Sequence, residues 1–236
     1  MSQEIQLLLI GALMGFVLSI ATTSLFENLK NPKLDIVIKP KATIRQYEDQ
    51  NMPVKKGQFL QLELWNRPPS RVSALINSVV RLRAALSCSG EIQFYHFEDA
   101  APVFEKPMRM RWAGAPDAVL RIIGGDDGYI VDSSRIEDSY FRTIYPERLE
   151  TIDVAARFDN DDECYGWTTE NMFDKYKWRP QHLRLNQGRY YVGVTVRTEG
   201  SQKTAFFQLD NTSSMDNFRL LDITEEDRPK LRGKQT

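Results

Sequence analysis

Histidine is nearly absent from this chain of 236 residues, which holds only His96 and His182. Imidazole-based zinc sites and a histidine-dependent triad therefore have almost no material to work with. Cysteine is just as scarce. Cys88 and Cys164 match neither a CxxC pair nor a Cys/His metal spacing, and two cysteines are too few for a disulfide scaffold. They read as ordinary thiols, with a single Cys88–Cys164 bridge as the alternative for a domain outside the cytoplasm. Net charge is missing too: 31 basic against 32 acidic side chains leave -1, so no global field draws the chain to nucleic acid or an anionic surface. Nucleic acid is not an expected partner. There is no GxSxG elbow, no HExxH and no phosphate-loop spacing. The glycines of "RIIGGDDGYIVD" read as a hairpin turn at Asp126, Asp127 and Gly128. No catalytic residue, metal or cofactor is implied.

What the chain does have is one long uncharged run. From Ile5 to Phe26 there are 22 residues without a charge, which at about 1.5 Å per residue is enough helix to cross the roughly 30 Å hydrocarbon core of a bilayer. Residues 1–30 are therefore expected to be a single-pass transmembrane anchor in contact with lipid over 5–26. A cleaved signal peptide needs a positive leading region, and here the only charge before the run is Glu4. Basic residues follow the run (Lys30, Lys33, Lys39, Lys41) and none precedes it, so the amino terminus is expected outside the cell membrane and the rest in the cytoplasm. Gly11, Gly15, Ser19 and Thr23 recur at every fourth position, which places them on one helix face. Such a shallow GxxxG-type seam suits close packing against a second helix, from a homodimer or another membrane protein.

Residues 31–212 are expected to form one domain, because no Gly/Ser or Pro linker interrupts them. Residues 213–236 are charged and poor in apolar side chains, and are expected to be a partly disordered tail. Several segments of the domain alternate with the period of two that marks a half-buried strand. In "KLDIVIKP" Leu34, Ile36 and Ile38 share a face; in "FLQLELWN" Leu60, Leu62 and Leu64 do the same; "RLRAALSC" puts Leu82, Ala84, Leu86 and Cys88 inward. Further strands are expected in "IQFYHF", "MRMRW", "VLRII", "YIVD" and "TIDVAARF". The clearest hairpin is "RYYVGVTVRT" with "TAFFQL", joined by "EGSQK". Helix periodicity is weak, with "SRVSALINSVV" its main candidate. The expectation is an all-β, mainly antiparallel sandwich.

One local pattern sharpens this. "LRLNQGRYYVGV" places a leucine, a turn glycine at Gly188 and then Tyr190 at the start of a strand, which resembles the tyrosine corner of immunoglobulin-like and fibronectin-type sandwiches. The resemblance implies that Tyr190 hydrogen-bonds back to the preceding corner and that Val192, Val194 and Val196 line the core. It covers about 25 residues, lacks the usual proline, and names an architecture rather than a functional family.

Two loops invite chemistry. In "DNDDECYGWTTE" Asp159, Asp161, Glu163 and Glu170 have the spacing of calcium-loop ligands, but Cys164 stands where that loop requires glycine. A solvated acidic loop is the simpler reading. That loop is part of the thirty or so residues between Phe158 and Arg189, which are loaded with rings and cations, and Tyr165, Trp167, Tyr176, Trp178 and Arg179 are the expected contact residues for a protein partner. The bland alternative is a small satellite core under the loop. Asn211 opens an Asn-Thr-Ser sequon that matters only outside the cytoplasm. The functional expectation is a membrane-anchored module for protein binding or assembly. The alternative is an enzyme or small-ligand sensor whose site is assembled from distant loops.

Overall fold

The structure, a computed structural model, describes residues 3–49, 52–67, 84–116, 119–121, 129–159, 161–173, 179–212, 214–224, 227 and 231. It opens with helix α1 (Gln3–Lys30), 28 residues long. Its side chains are described for 10–23, and every one of them is exposed. Among the described residues no helix is long and apolar enough to cross a membrane. The expected anchor thus has its helix but not, within these residues, a span.

Three strands follow α1: β1 (Leu34–Ile38), β2 (Thr43–Asp49) and β3 (Met52–Asn66). Then come β4 (Ala85–His96), β5 (Met108–Arg109), β6 (Arg111–Trp112), β7 (Val119–Arg121) and β8 (Tyr129–Val131), ahead of helix α2 (Ser133–Tyr140). The remainder is β9 (Arg142–Ile144), β10 (Leu149–Phe158), β11 (Cys164–Gly166), β12 (Arg184–Leu185), β13 (Gly188–Arg197), β14 (Gln202–Asn211) and β15 (Arg219–Asp222). The first sheet has the order β1-β3-β10-β11-β12, with β2 also on β3 and β6 also on β10. The second has the order β15-β14-β13-β4-β5, with β9 also on β4. All their pairings are antiparallel.

The alternation of apolar side chains explains why the sheets stack. Leu60, Leu62 and Leu64 of β3 and Ile152 and Val154 of β10 share one core with Ile92 and Phe94 of β4 and Val192, Val194 and Val196 of β13. Each such side chain, removed from water, contributes roughly 1.5–3 kcal/mol. The result is a β-sandwich. At its corner the Tyr190 hydroxyl donates to the carbonyl of Asn186 at 3.0 Å, and Gly188 takes a φ of 153° that side chains disfavour.

Two sequence expectations are corrected. Leu86 does not point inward with Cys88 but is 46% exposed, because Ser87 adopts a φ of 47° and the pairing of β4 with β9 shifts register between Ala85 and Cys88. A bulge reverses the inside–outside order of the residues before it. The boundary at 212 also falls inside the fold: β15 pairs with β14, and Phe218 and Leu220 enter the core. Further on, Asp227 accepts a hydrogen bond from the Tyr191 hydroxyl at 2.7 Å and Leu231 is buried against Ala100 and Tyr191. Residues 70–80, the expected helix, and the turn at 126–128 lie outside the described residues.

Candidate functional site

Successive side chains of a strand face opposite ways. With the even-numbered residues of β4 and β13 in the core, Glu91, Gln93 and Tyr95 and their neighbours Gly193, Thr195 and Arg197 occupy the outer face of the second sheet. The registers set them in rows: Arg109, Glu91, Thr195 and Thr204 lie side by side, as do Gln93, Gly193 and Phe206. Tyr95, Tyr191 and Phe206 at one end pack with Leu231. Among the described residues, the rest of the face lines two clefts.

Together the clefts form a trough. Its wider section, about 770 Å³, lies between this face and α2, with Glu91, Arg109, Glu137, Tyr140, Phe141 and Arg197 in its lining. A second section of about 260 Å³ continues over Gln93, Tyr95, Gly193, Thr204 and Phe206, and the two share Glu91 and Arg197. Gly193 shapes the floor: a Cβ there would sit 2.8 Å from the Phe206 ring and 3.3 Å from the Tyr95 ring. Only glycine lets those rings approach the backbone so closely. Helix α2 is held in place as a wall by Asp132, whose carboxylate accepts from the Ser134 hydroxyl at 2.6 Å and its backbone N–H at 3.1 Å. The Ser134 hydroxyl, above all, holds that carboxyl below its ordinary range.

The polar groups of the trough are complementary in sign. Arg197 Nη1 meets Glu91 Oε2 at 2.9 Å, each side chain nearly half exposed. The Arg109 guanidinium lies 5.2 Å over the Tyr140 ring. The Thr195 and Thr204 hydroxyls bond at 3.0 Å, and the Gln93 amide donates to the Phe104 carbonyl at 2.9 Å. Burial pushes the Tyr95 hydroxyl above its ordinary pKa, so it remains a protonated donor. Among the described residues the lining includes no cysteine, histidine or lysine. Hydrogen-bond donors, both charge signs and aromatic rings thus line the trough together.

The residues expected to make contacts lie elsewhere. Tyr165 and Trp167 are 3% and 2% exposed, packed with Phe59, Ala156 and Phe158 on the outer face of the first sheet. The Phe59 and Trp167 rings meet edge-on at 4.9 Å. Arg179 covers Phe158 at 4.6 Å and pairs with Asp161 at 2.6 Å. Buried rings offer a partner no surface, so these form the satellite core and the contact reading is corrected for Tyr165 and Trp167. Tyr176 and Trp178 lie outside the described residues. The acids of the same loop are engaged by the protein: Glu163 pairs with Arg184 at 3.0 Å, and Asp159 accepts from the Lys56 N–H at 3.0 Å. Among the described residues nothing beyond the helix's own backbone comes within 4 Å of where a Cβ on Gly11 or Gly15 would be, so no described element packs on the seam at those two glycines.

Cys88 and Cys164 are free and buried. Desolvation pushes the Cys88 thiol up to about 12 and the Cys164 thiol above its ordinary value. The trough itself was open to sequence reasoning in two places. A glycine inside the strand "YYVGVTV" signals close approach, and the outward positions of "EIQFY" are polar where solvation alone would not require an aromatic end. Comparison with protein-family models, with curated proteins and with solved structures finds no match.

Proposed function

We propose that this chain is a binding module held at a membrane by α1, with the trough on the second sheet as its contact surface. The observation that carries the reading is the continuity of the trough: two clefts joined through Glu91 and Arg197 give an extended surface with charge and aromatic walls. An extended polypeptide segment carrying both charge signs fits that chemistry. The Tyr190–Asn186 bond supports an immunoglobulin-like corner. The anchor reading is supported by the uncharged run over 5–26 and by its lying within a single helix of 28 residues. The basic residues after the run favour a cytoplasmic sandwich with the amino terminus outside, and the seam at Gly11, Gly15, Ser19 and Thr23 is the proposed packing face for a second helix.

A photo-cross-linking residue placed at Thr204 tests the contact surface, with Lys56 on the other sheet as control. A discrete cross-linked species from position 204 that disappears with Arg197→Glu is the expected result; equal cross-linking from both positions contradicts the reading. A second reading, a small-ligand sensor, is favoured by the wider cleft, whose volume of about 770 Å³ is that of a small-molecule site. A soluble metabolite that raises the melting temperature, and loses that effect with Glu91→Ala, would select it.

A further inference from the structure

We propose that the end of the sandwich nearest α1 rests on the membrane surface, with Trp65, Tyr145 and Leu149 seated in the headgroup layer; this rests on the reading of α1 as the anchor. The geometry begins with a short tether. Only Asn31, Pro32 and Lys33 separate the end of α1 from β1, and three residues reach no more than about 11 Å. The β13–β14 turn lies at the same end, since a Cβ on Gly200 would be 2.9 Å from Asn31 Oδ1.

What that end displays is unusual for a solvated surface. Leu34 at the start of β1 stands opposite Asn66, and Trp65 stands opposite Leu149. The loop bearing Tyr145 closes onto the same place, with the Glu147 N–H donating to the Asn66 carbonyl at 2.9 Å. Ile144 pairs with Ala85, which brings Leu86 there as well. Trp65, Leu86, Tyr145 and Leu149 are 36–62% exposed, and among the described residues they make up half of the large apolar side chains exposed outside α1. Apolar exposure is therefore gathered at the end that the tether holds close to the membrane.

The chemistry of that end matches the interface rather than water or hydrocarbon. Trp and Tyr favour the headgroup level because an apolar ring and a polar atom are satisfied together there. Arg67 lies 5.6 Å over the Trp65 ring while pairing with Asp35, and Arg142 meets Glu150 at 3.4 Å. The stem of such a cation covers apolar surface while its head stays in a polar layer, a division that the headgroup region satisfies. Seating this end would fix the sandwich's tilt and hold the trough, whose Arg197 is three residues from Gly200, beside the bilayer.

The full chain reconstituted in phosphatidylcholine vesicles containing one quarter phosphatidylserine, with and without brominated acyl chains, tests this. Trp112 and Trp167 are buried, and the difference between the native chain and Trp65→Phe isolates Trp65 fluorescence. The expected result is quenching of that component at least twofold by brominated lipid, with acrylamide quenching reduced relative to detergent. A chain that floats with the vesicles but shows no brominated-lipid effect on Trp65 overturns the proposal and leaves the anchor standing. Shielding that grows with protein concentration, without brominated-lipid quenching, assigns the surface to a second copy and also overturns it. A chain that fails to float overturns the anchor and the proposal together.

Discussion

Asn211 of β14 and Arg157 of β10 are locked together where the two sheets meet. The Asn211 Oδ1 accepts from Arg157 at 3.2 Å while its Nδ2 donates to the Asn186 carbonyl at 3.0 Å, and Arg157 also donates to the carbonyls of Asp161 and Thr212. Asn211 has no exposed surface, so its sequon is closed to a glycosyltransferase once the chain has folded. Asn211→Ala leaves a buried guanidinium short of an acceptor and is expected to lower unfolding free energy by about 2–3 kcal/mol. Urea denaturation measures this.

A second buried pair lies behind the first sheet. Arg111 Nη1 meets Asp153 at 2.5 Å, both side chains 1% exposed, and the Asp153 carboxylate also accepts from the Gln61 amide at 2.7 Å. Gln61 in turn accepts from Thr43 at 2.6 Å and Lys39 at 2.8 Å. Removing one partner strands the other charge in the interior, so Asp153→Ala is expected to cost about 3–5 kcal/mol. Replacing the pair with Arg111→Met and Asp153→Leu should recover most of that in the same denaturation assay.

The buried thiols define the alkaline limit. Folded Cys88 keeps its proton up to about 12 against an ordinary value of 9.0, and folded Tyr165 keeps its own up to about 12 against 10.0. Between those values the unfolded chain has released protons that the folded chain holds. Stability should therefore be complete below pH 9 and fall as pH climbs toward 12. Melting temperatures across pH 8 to 11 check the slope. Neither thiol should react with a maleimide at pH 7.5 until the chain unfolds, when two should react.

In the trough, Arg197→Glu is expected to abolish partner cross-linking while changing stability by no more than about 1 kcal/mol, the scale of an exposed ion pair. Gly193→Val should behave differently. Its side chain would displace Phe206 and Tyr95, so both binding and melting temperature should fall, the latter by an amount typical of an overpacked site, about 1–3 kcal/mol.

The strands were legible where one face had to be buried. The alternation at Leu60, Leu62 and Leu64 and along "RYYVGVTV" corresponds to inner rows that are 0–7% exposed. Alternation carried no information at Leu86, because a bulge at Ser87 reverses the sense of the pattern without changing composition. β15 was hidden for a related reason: four residues, "RLLD", with one fully inward side chain, give too short a period to stand out beside charged neighbours. The rings at Tyr165 and Trp167 show a different limit. Aromatics under a long loop look the same in sequence whether they face a partner or the outer face of a sheet, and only their neighbours decide. The trough depends on which rows of four strands share a face, which register fixes and a linear reading cannot.

Alkaline carbonate extraction of membranes carrying the full chain with a carboxy-terminal tag, followed by protease treatment of intact cells, tests the membrane-held module most directly. The account predicts that the chain stays in the membrane pellet and that the tag is protected until the cells are opened. A chain released wholly into the carbonate supernatant would contradict it.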